Sequence, residues 1–230
     1  MIDFSLGQNC HWKEGFEIIC LFRFFVRLTA CIKAAQLLLD KGYEPAFVAG
    51  LLANICKEGD TGLFEYAYRY NPDWKAAYIQ YMVDNYNYYN EYQGQFIYHK
   101  DVTKVYNILM ELKSKGLLET YGFGLGCIQW TKSRTLLLVE TYREVNGNSS
   151  KITFDQARDA EGLTMVKELD GGFHKVYTDW KNNNSPLKSQ ESAYWAGDRI
   201  CKNYEMPDGM DEKGAERGNL AKNIYADMMK

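Results

Sequence analysis

The chain has 230 residues, 46% of them hydrophobic, which is enough to bury one continuous core. Lys and Arg number 27 against 30 for Asp and Glu, giving a formal net charge of −3. A negative net charge provides no electrostatic attraction to nucleic acid or anionic lipid, so we expect neither as a partner.

The apolar stretch over residues 18–30 is interrupted by Arg23 and Arg27. Either charge at the centre of a bilayer would cost about 3 kcal/mol, which argues against membrane insertion. No repeat or low-complexity linker divides the rest of the chain. We therefore expect residues 1–25 to be an extension of unknown role and residues 26–230 to form one domain.

Two helices are predicted near the start of that domain. Residues 26–41 carry apolar side chains at helical spacing and stop at Gly42, as expected of a glycine C-cap. Pro45 fits the first turn of the next helix, whose apolar stripe runs to residue 57. Glu58 comes directly after it.

The segment 59–122 has a different character. No helical period emerges between residues 60 and 99, and residues 84–98 are rich in Tyr and Asn. These features predict a long surface insertion. Its tyrosines either extend a binding cleft or belong to a solvated or self-packed loop.

Signals further along the chain predict more helices and a mainly α fold. Asp101 fits an N-cap and Gly116 a helix end, Thr131 fits another N-cap, and Thr153 with Gln156 forms a capping box. Two more helices are expected over residues 189–202 and 216–229. The glycines near residues 120–129 allow a short β-hairpin or glycine-rich loop.

Glu58 is a candidate general acid. A glycosidase needs a carboxyl group that stays protonated near neutral pH, and an apolar wall achieves this by disfavouring the charged form. A buried helix end would deliver Glu58 into a glycine-flexible cleft, although most glutamates at helix ends are merely solvated.

The run from Gly124 to Thr131 is a candidate sugar site. The amide of Gln129 can pair with N-acetyl and hydroxyl groups, and the indole of Trp130 can pack on a pyranose. Gly124 and Gly126 would let the backbone come close. The alternative is a glycine-rich turn with a buried tryptophan.

Three ordered motifs resemble the phage tail lysozyme family. Residues 49–58 match A-G-x-L-x-N-x-x-x-E, and residues 124–131 match G-x-G-x-x-Q-W-T, with an arginine at position 134. Residues 204–207 read Y-E-x-P and residues 216–221 read E-R-G-x-x-A. Because the motifs occur in order over most of the chain, the resemblance is specific.

This resemblance implies a lysozyme-like helical fold, related to goose-type lysozymes and lytic transglycosylases. It implies a muramidase that cuts the β-1,4 bond between N-acetylmuramic acid and N-acetylglucosamine in bacterial peptidoglycan, without a cofactor. Glu58 would be the catalytic acid, and Gln129 and Thr131 would contact the sugar. The protein would be phage tail-associated or secreted, with tail proteins as further partners.

Two departures from the family pattern affect the site. Gly59 stands where many relatives have serine, so any hydrogen bond from that hydroxyl is lost, and the segment 59–122 is longer than in compact members. A second carboxylate could hold a water, and Glu65 is a better candidate than Asp60, although an ordinary surface acid is the simpler interpretation. Without such a carboxylate, a lytic transglycosylase would form an anhydro ring. A non-catalytic wall-binding tail module is the other alternative.

Six cysteines stand singly, with no C-x-x-C pair and no histidine placed to complete a zinc site. An even number permits disulfides, but a chain of this length does not need them. We expect buried free thiols and no structural metal. The residues are Cys10, Cys20, Cys31, Cys56, Cys127 and Cys201.

Overall fold

A computed structural model describes residues 34–66, 84–119, 123–207 and 209–230. The fold is mainly α, as predicted, with a small antiparallel sheet. The α-helices of four or more residues that the structure describes are α1 (34–40), α2 (Pro45–Ile55), α3 (Tyr88–Glu91), α4 (Val102–Ser114), α5 (Lys132–Val145), α6 (Phe154–Asp170), α7 (His174–Asn183), α8 (Gln190–Ile200) and α9 (Met210–Met228). Residues Ile97–His99 form a 3₁₀ helix and Cys201–Glu205 a π-helix. The strands are β1 (Phe64–Tyr66) and β2 (Phe123–Leu125).

The end of α1 and the start of α2 agree with the sequence signals, whereas α2 ends at Ile55 and not at residue 57. Gly42 has φ +83° just after α1, and Pro45 occupies the first turn of α2. Residues 46–55 are all buried, so α2 has no solvent face. The predicted apolar stripe is therefore part of a helix enclosed on every side. The proposed extension 1–25 and the predicted helical residues 26–33 lie outside the described residues, and the division at residue 26 stays a prediction.

Small residues allow α2, α8 and α9 to pack closely. A Cβ on Gly50 would lie 2.5 Å from Ala196 Cβ and 2.7 Å from Gly197 N, and a Cβ on Gly197 would lie 2.7 Å from Arg217 O. Asn54 connects the first two helices, because its Nδ2 donates to Gly50 O at 2.8 Å and to Gly197 O at 3.0 Å. The end of α2 is thus held firmly against the C-terminal helices.

The local capping predictions are confirmed at two sites. The side chain of Asp101 accepts a hydrogen bond from Lys104 N at 3.0 Å, and Thr153 with Gln156 forms both bonds of a capping box. Helix α7 was not predicted from the sequence, and α9 begins at Met210 instead of residue 216.

The predicted β-hairpin takes a different form. Strand β2 pairs with the distant β1, with Glu65 opposite Gly124, and a bridge between Leu125 and Trp130 closes a tight turn after β2. Each strand has three residues, which is too short to show the alternating pattern that identifies a strand in sequence.

The prediction of a surface insertion is wrong for Tyr88, Tyr92 and Ile97, whereas most of the other described residues of 84–99 are exposed or half-buried. Tyr88 is 1% exposed and Tyr92 is 3% exposed, and their rings pack with Phe64 and Phe123 in the core. The self-packed alternative fits this part of the segment, since the aromatic side chains fill the core beneath the sheet. Residues 67–83 lie outside the described residues.

Of the cysteines, Cys127 and Cys201 are buried free thiols, and Cys56 is half-buried. The remaining three lie outside the described residues. None of the helices that the structure describes combines the length and apolar character that a membrane crossing requires.

The contact at Gly50 predicts a stability effect. Gly50→Ala places a methyl group against backbone atoms of α8, so we expect a loss of about 1–3 kcal/mol in the free energy of unfolding. Urea denaturation measures it. Gly172→Ala is the matched control, because nothing lies within 4 Å of its added Cβ. Equal midpoints for the two variants would contradict the close packing of α2 on α8.

Candidate active site

Glu58 lies in the turn that follows α2, with its side chain 21% exposed. Its backbone N–H donates to Ile55 O at 3.3 Å, and the N–H of Gly59 donates to Cys127 O at 2.9 Å. The residue is therefore placed where the buried helix meets the glycine-rich segment, and its carboxyl group keeps partial access to solvent.

Arg217 on α9 contacts this carboxyl group. Its Nη2 donates a hydrogen bond to Glu58 Oε1, while Nη1 donates to Cys201 Sγ at 2.7 Å and lies 3.3 Å from Glu205 Oε2. The guanidinium side chain is only 3% exposed. Both parts of the C-terminal motif, Y-E-x-P and E-R-G-x-x-A, are thus brought to Glu58.

We expected an apolar wall around Glu58, but the charged side chain of Arg217 contacts its carboxyl group instead. A guanidinium carries a full positive charge, so the surroundings of the Glu58 carboxyl group are charged and not apolar. Arg217 was not predicted as a site residue, because its partner lies 159 positions away in the chain. The E-R-G motif was the available signal, and it was used only to recognise the family.

Glu205 is a second carboxylate at the same arginine. Its side chain is 2% exposed, and neither of its oxygens has a hydrogen-bond partner. Burial raises the pKa of Glu205 well above the usual range, and the charge of Glu58 raises it further, against the opposing charges of Arg217 and Arg134. This group was also missed as a site residue.

Glu161 on α6 holds the backbone behind the site. Its carboxylate accepts hydrogen bonds from Gly62 N at 2.7 Å, Tyr142 Oη at 2.7 Å and Cys127 N at 3.2 Å. Burial raises the pKa of Glu161, and these hydrogen bonds oppose that effect. The segment after Glu58 and the glycine-rich turn are joined through this one side chain.

Glu168, two turns further along α6, holds the other half of the glycine-rich segment. It accepts from Trp130 Nε1 at 2.9 Å, from Tyr204 Oη, and from Arg134 through Nε at 2.7 Å and Nη2 at 2.9 Å. The guanidinium of Arg134 lies 4.6 Å from the ring centres of both Phe173 and Tyr204. This network fixes Trp130 and the Y-E-x-P segment together.

Trp130 is not available as a sugar platform. It is fully buried at 0% exposure, and its Nε1 already donates to Glu168. The predicted direct contact of Trp130 with a pyranose is therefore corrected. The alternative of a glycine-rich turn with a buried tryptophan describes this residue.

The glycines of the segment make room for the protein's own side chains. A Cβ on Gly126, which has φ +83°, would lie 2.8 Å from Glu161 Oε1, and a Cβ on Gly124 would overlap the amide of Gln129. Both glycines are buried. Their predicted role of exposing backbone to substrate is replaced by a packing role.

Gln129 lies between Gly124 and Gly59. Its Nε2 donates to Gly126 O at 2.8 Å, and its buried Oε1 has no hydrogen-bond partner. A Cβ on Gly59 would overlap Nε2. In this chain a side chain at position 59 would therefore require the Gln129 amide to move.

Thr131 is half-exposed at the N-cap of α5, and its hydroxyl makes no capping hydrogen bond, contrary to prediction. Glu65 is exposed on β1, opposite Gly124, whereas Asp60 is 4% exposed and enclosed. Glu65 as a second carboxylate stays a prediction. Among the described residues, no group of His, Cys, Asp and Glu side chains is arranged to hold a metal ion.

The model of one protein family, described as phage tail lysozyme, matches residues 30–228. No curated protein and no solved structure matches the chain. The turn after α2 is joined to the glycine-rich segment between Gly59 and Cys127, and Glu58 is joined to the C-terminal motif through Arg217.

The packing of Gln129 against Gly124 predicts energetic coupling. Gly124→Ala should destabilise the fold because its methyl group overlaps the Gln129 amide, and Gln129→Ala should remove most of that penalty. We expect the double variant to be more stable than the sum of the single effects by about 0.5–3 kcal/mol. Urea denaturation of the four proteins measures this cycle.

The control cycle pairs Gln129→Ala with Gly172→Ala, whose added methyl group meets open space. Its effects should be additive within about 0.5 kcal/mol. Additivity in the Gly124 cycle as well would show that the amide does not fill the space beside this glycine.

Proposed function

The chain belongs to the phage tail lysozyme family, and on that premise we propose that it is a muramidase. The family places its action on bacterial peptidoglycan. The proposed reaction is hydrolysis of the β-1,4 bond between N-acetylmuramic acid and N-acetylglucosamine. The observation that carries the proposal is the partly exposed carboxyl group of Glu58, held by Arg217 where the three motifs meet.

In the proposed mechanism Glu58 is the general acid. It donates its proton to the glycosidic oxygen while an oxocarbenium-like centre develops on the muramic acid. As Glu58 loses the proton, its carboxylate becomes negative next to Arg217, which is already in hydrogen-bond contact. The arginine therefore stabilises charge that increases during the reaction, and it does so without moving.

Thr131 and Gln129 are the proposed sugar contacts. The hydroxyl of Thr131 is half-exposed and makes no capping bond, so it can accept or donate a hydrogen bond to a sugar. The Nε2 of Gln129 donates one hydrogen to Gly126 O and has a second. Both residues follow the turn that lies against Gly59, next to the acid.

Glu65 is the proposed second carboxylate. It is exposed on β1, whereas Asp60 and Glu205 are enclosed. An inverting pair holds a water between carboxyls about 6.5–9.5 Å apart. The burial of Asp60 and Glu205 is also what favours the second candidate, a lytic transglycosylase, because neither can hold a water in an open cleft.

Product analysis separates these two reactions. We expect digestion of purified peptidoglycan in ¹⁸O-labelled water to give muropeptides with one labelled oxygen at the reducing muramic acid, since hydrolysis adds water across the bond. Mass spectrometry measures the label. Unlabelled products lighter by one water would identify the anhydro ring, and would replace the hydrolytic mechanism by transglycosylation.

We place the protein in a phage tail or in a secreted lysin, with tail proteins as further partners in the first case. The family is consistent with action at the virion or the cell wall. A wall-binding module without activity would have no need for a carboxyl group held in this way. It would bind peptidoglycan and release nothing.

The central prediction concerns Glu58→Gln. The amide keeps the shape of the side chain but cannot donate the acid proton, so release of soluble fragments should fall to background while circular dichroism is unchanged. Loss of turbidity of a purified wall suspension measures the activity. Gln129→Ala should be milder, with a two- to twelvefold loss in kcat/KM, because one neutral hydrogen bond contributes about 0.5–1.5 kcal/mol.

Glu144→Gln is the matched control, since this exposed glutamate is paired with Lys167 and takes no part in the site. It should retain wild-type activity. A Glu58→Gln protein that clears the suspension at the wild-type rate would remove Glu58 from the mechanism.

A further inference from the structure

Arg217 lies between two carboxylates that differ in their access to solvent. Nη2 donates to Glu58, whose side chain is 21% exposed, and Nη1 lies 3.3 Å from Glu205, whose side chain is 2% exposed. The arginine itself is 3% exposed. One positive charge is therefore shared by an acid that can meet substrate and an acid that cannot.

Glu205 receives no hydrogen bond from the part of the chain that the structure describes. A buried carboxylate is normally satisfied by several hydrogen-bond donors, as Glu161 is, but neither oxygen of Glu205 accepts a hydrogen bond. Its ionised form depends on the charge of Arg217, with a smaller contribution from Arg134. The side chain is thus a buried acid whose charge state is linked to the arginine that contacts Glu58.

We propose that Glu58, Arg217 and Glu205 form a triad that holds one proton between its two carboxylates, with Glu205 as a positioning residue that acts through Arg217. When the proton is on Glu58, the negative charge of Glu205 balances Arg217, and the triad is neutral. When the proton is on Glu205, Arg217 pairs with ionised Glu58. This inference rests on the proposed role of Glu58 as the acid.

The triad resolves a conflict in the site. An arginine next to a general acid favours loss of the proton that the acid must donate. In the form of the triad with Glu205 ionised, the arginine is already balanced, so Glu58 can keep its proton until the glycosidic oxygen takes it. The bonding electrons of the cleaved C–O bond then stay on the leaving oxygen, which takes the proton. Ionised Glu58 shares Arg217 with Glu205 until a proton from solvent returns to the pair.

The surrounding charged groups do not provide this balance. Arg134 faces Glu205 from α5 but is bound by both oxygens of Glu168, and Lys57 next to Glu58 is paired with Glu216 at 2.5 Å. Among the described residues, the remaining titratable groups that face the triad are the buried side chains of Cys127, Cys201 and Tyr204. Burial raises the pKa of all three, which keeps them neutral near pH 7.

Glu205→Gln tests the proposal through the pH profile of kcat/KM. Without the second carboxylate, Arg217 is unbalanced and favours ionised Glu58, so the alkaline limb should move to lower pH by about one unit or more. Activity at the acid end should be retained. Glu205→Asp, which restores the charge, should return the limb toward that of the wild type.

Glu216→Gln is the control for a nearby charge of ordinary kind, because its exposed carboxylate pairs with Lys57. It should leave the limb near its wild-type position. An unchanged limb in Glu205→Gln, or a uniform loss of activity at every pH, would overturn the proposal and leave Glu205 as a packing residue.

A second measurement does not depend on activity or on the folding of Glu205→Gln. In protein labelled with ¹³C at the glutamate carboxyls, we expect the titration of Glu205 to move to lower pH in Glu58→Gln, since the charge of Glu58 raises the Glu205 pKa. An unmoved titration would show that the carboxylates are not coupled. If wild-type protein releases no fragments, the proposed function fails, and the coupling is still decided here.

Discussion

Glu161 and Glu168 lie two helical turns apart on α6, and their carboxylates receive donors from almost every segment that forms the site. Glu161 binds the backbone of the two loops that meet beside Glu58, and Glu168 binds an indole, a phenol and a guanidinium. A buried carboxylate is stable only when several donors surround it. The loops must therefore lie in these positions when α6 is buried. The hydrogen bonds to α6 in this way fix the conformation of short glycine-rich segments.

The other side of the site is held by close contact of small residues instead of charges. Gly50 on α2 and Gly197 on α8 allow backbones to touch, and Asn54 bonds across the contact. Arg217 emerges from the same packed helices and is nearly enclosed when it reaches Glu58. The acid is thus fixed between a polar network and a tightly packed helical contact. A group that transfers a proton benefits from such a fixed position, because activity falls steeply when it is misplaced.

Local signals in the sequence predicted local structure well. The Asp101 cap and the start of α2 at Pro45 depend on neighbouring residues, and the position of Glu58 after α2 followed from the same reasoning. The burial of Trp130 and the contact of Arg217 with Glu58 depend on residues that are far apart in the chain. A single sequence does not show which distant residues come together. Tyr88 and Tyr92 were misjudged because they fill the core without a helical period. Acids at positions 161 and 168 on the apolar face of α6 were an available signal for a buried polar network.

The buried thiol of Cys201 can serve as a chemical probe of the inner part of the site. Its Sγ accepts from Arg217 and is 0% exposed, and burial raises its pKa, so a thiol reagent cannot attack it in the closed structure. Reaction requires the turn at residues 201–205 to separate from α9. The rate at which a reagent labels this cysteine, measured by mass spectrometry of the peptides, therefore reports local opening of this region. If a glycan fragment lowers the labelling rate, its binding at Glu58 stabilises the arrangement in which Arg217 covers the Cys201 thiol.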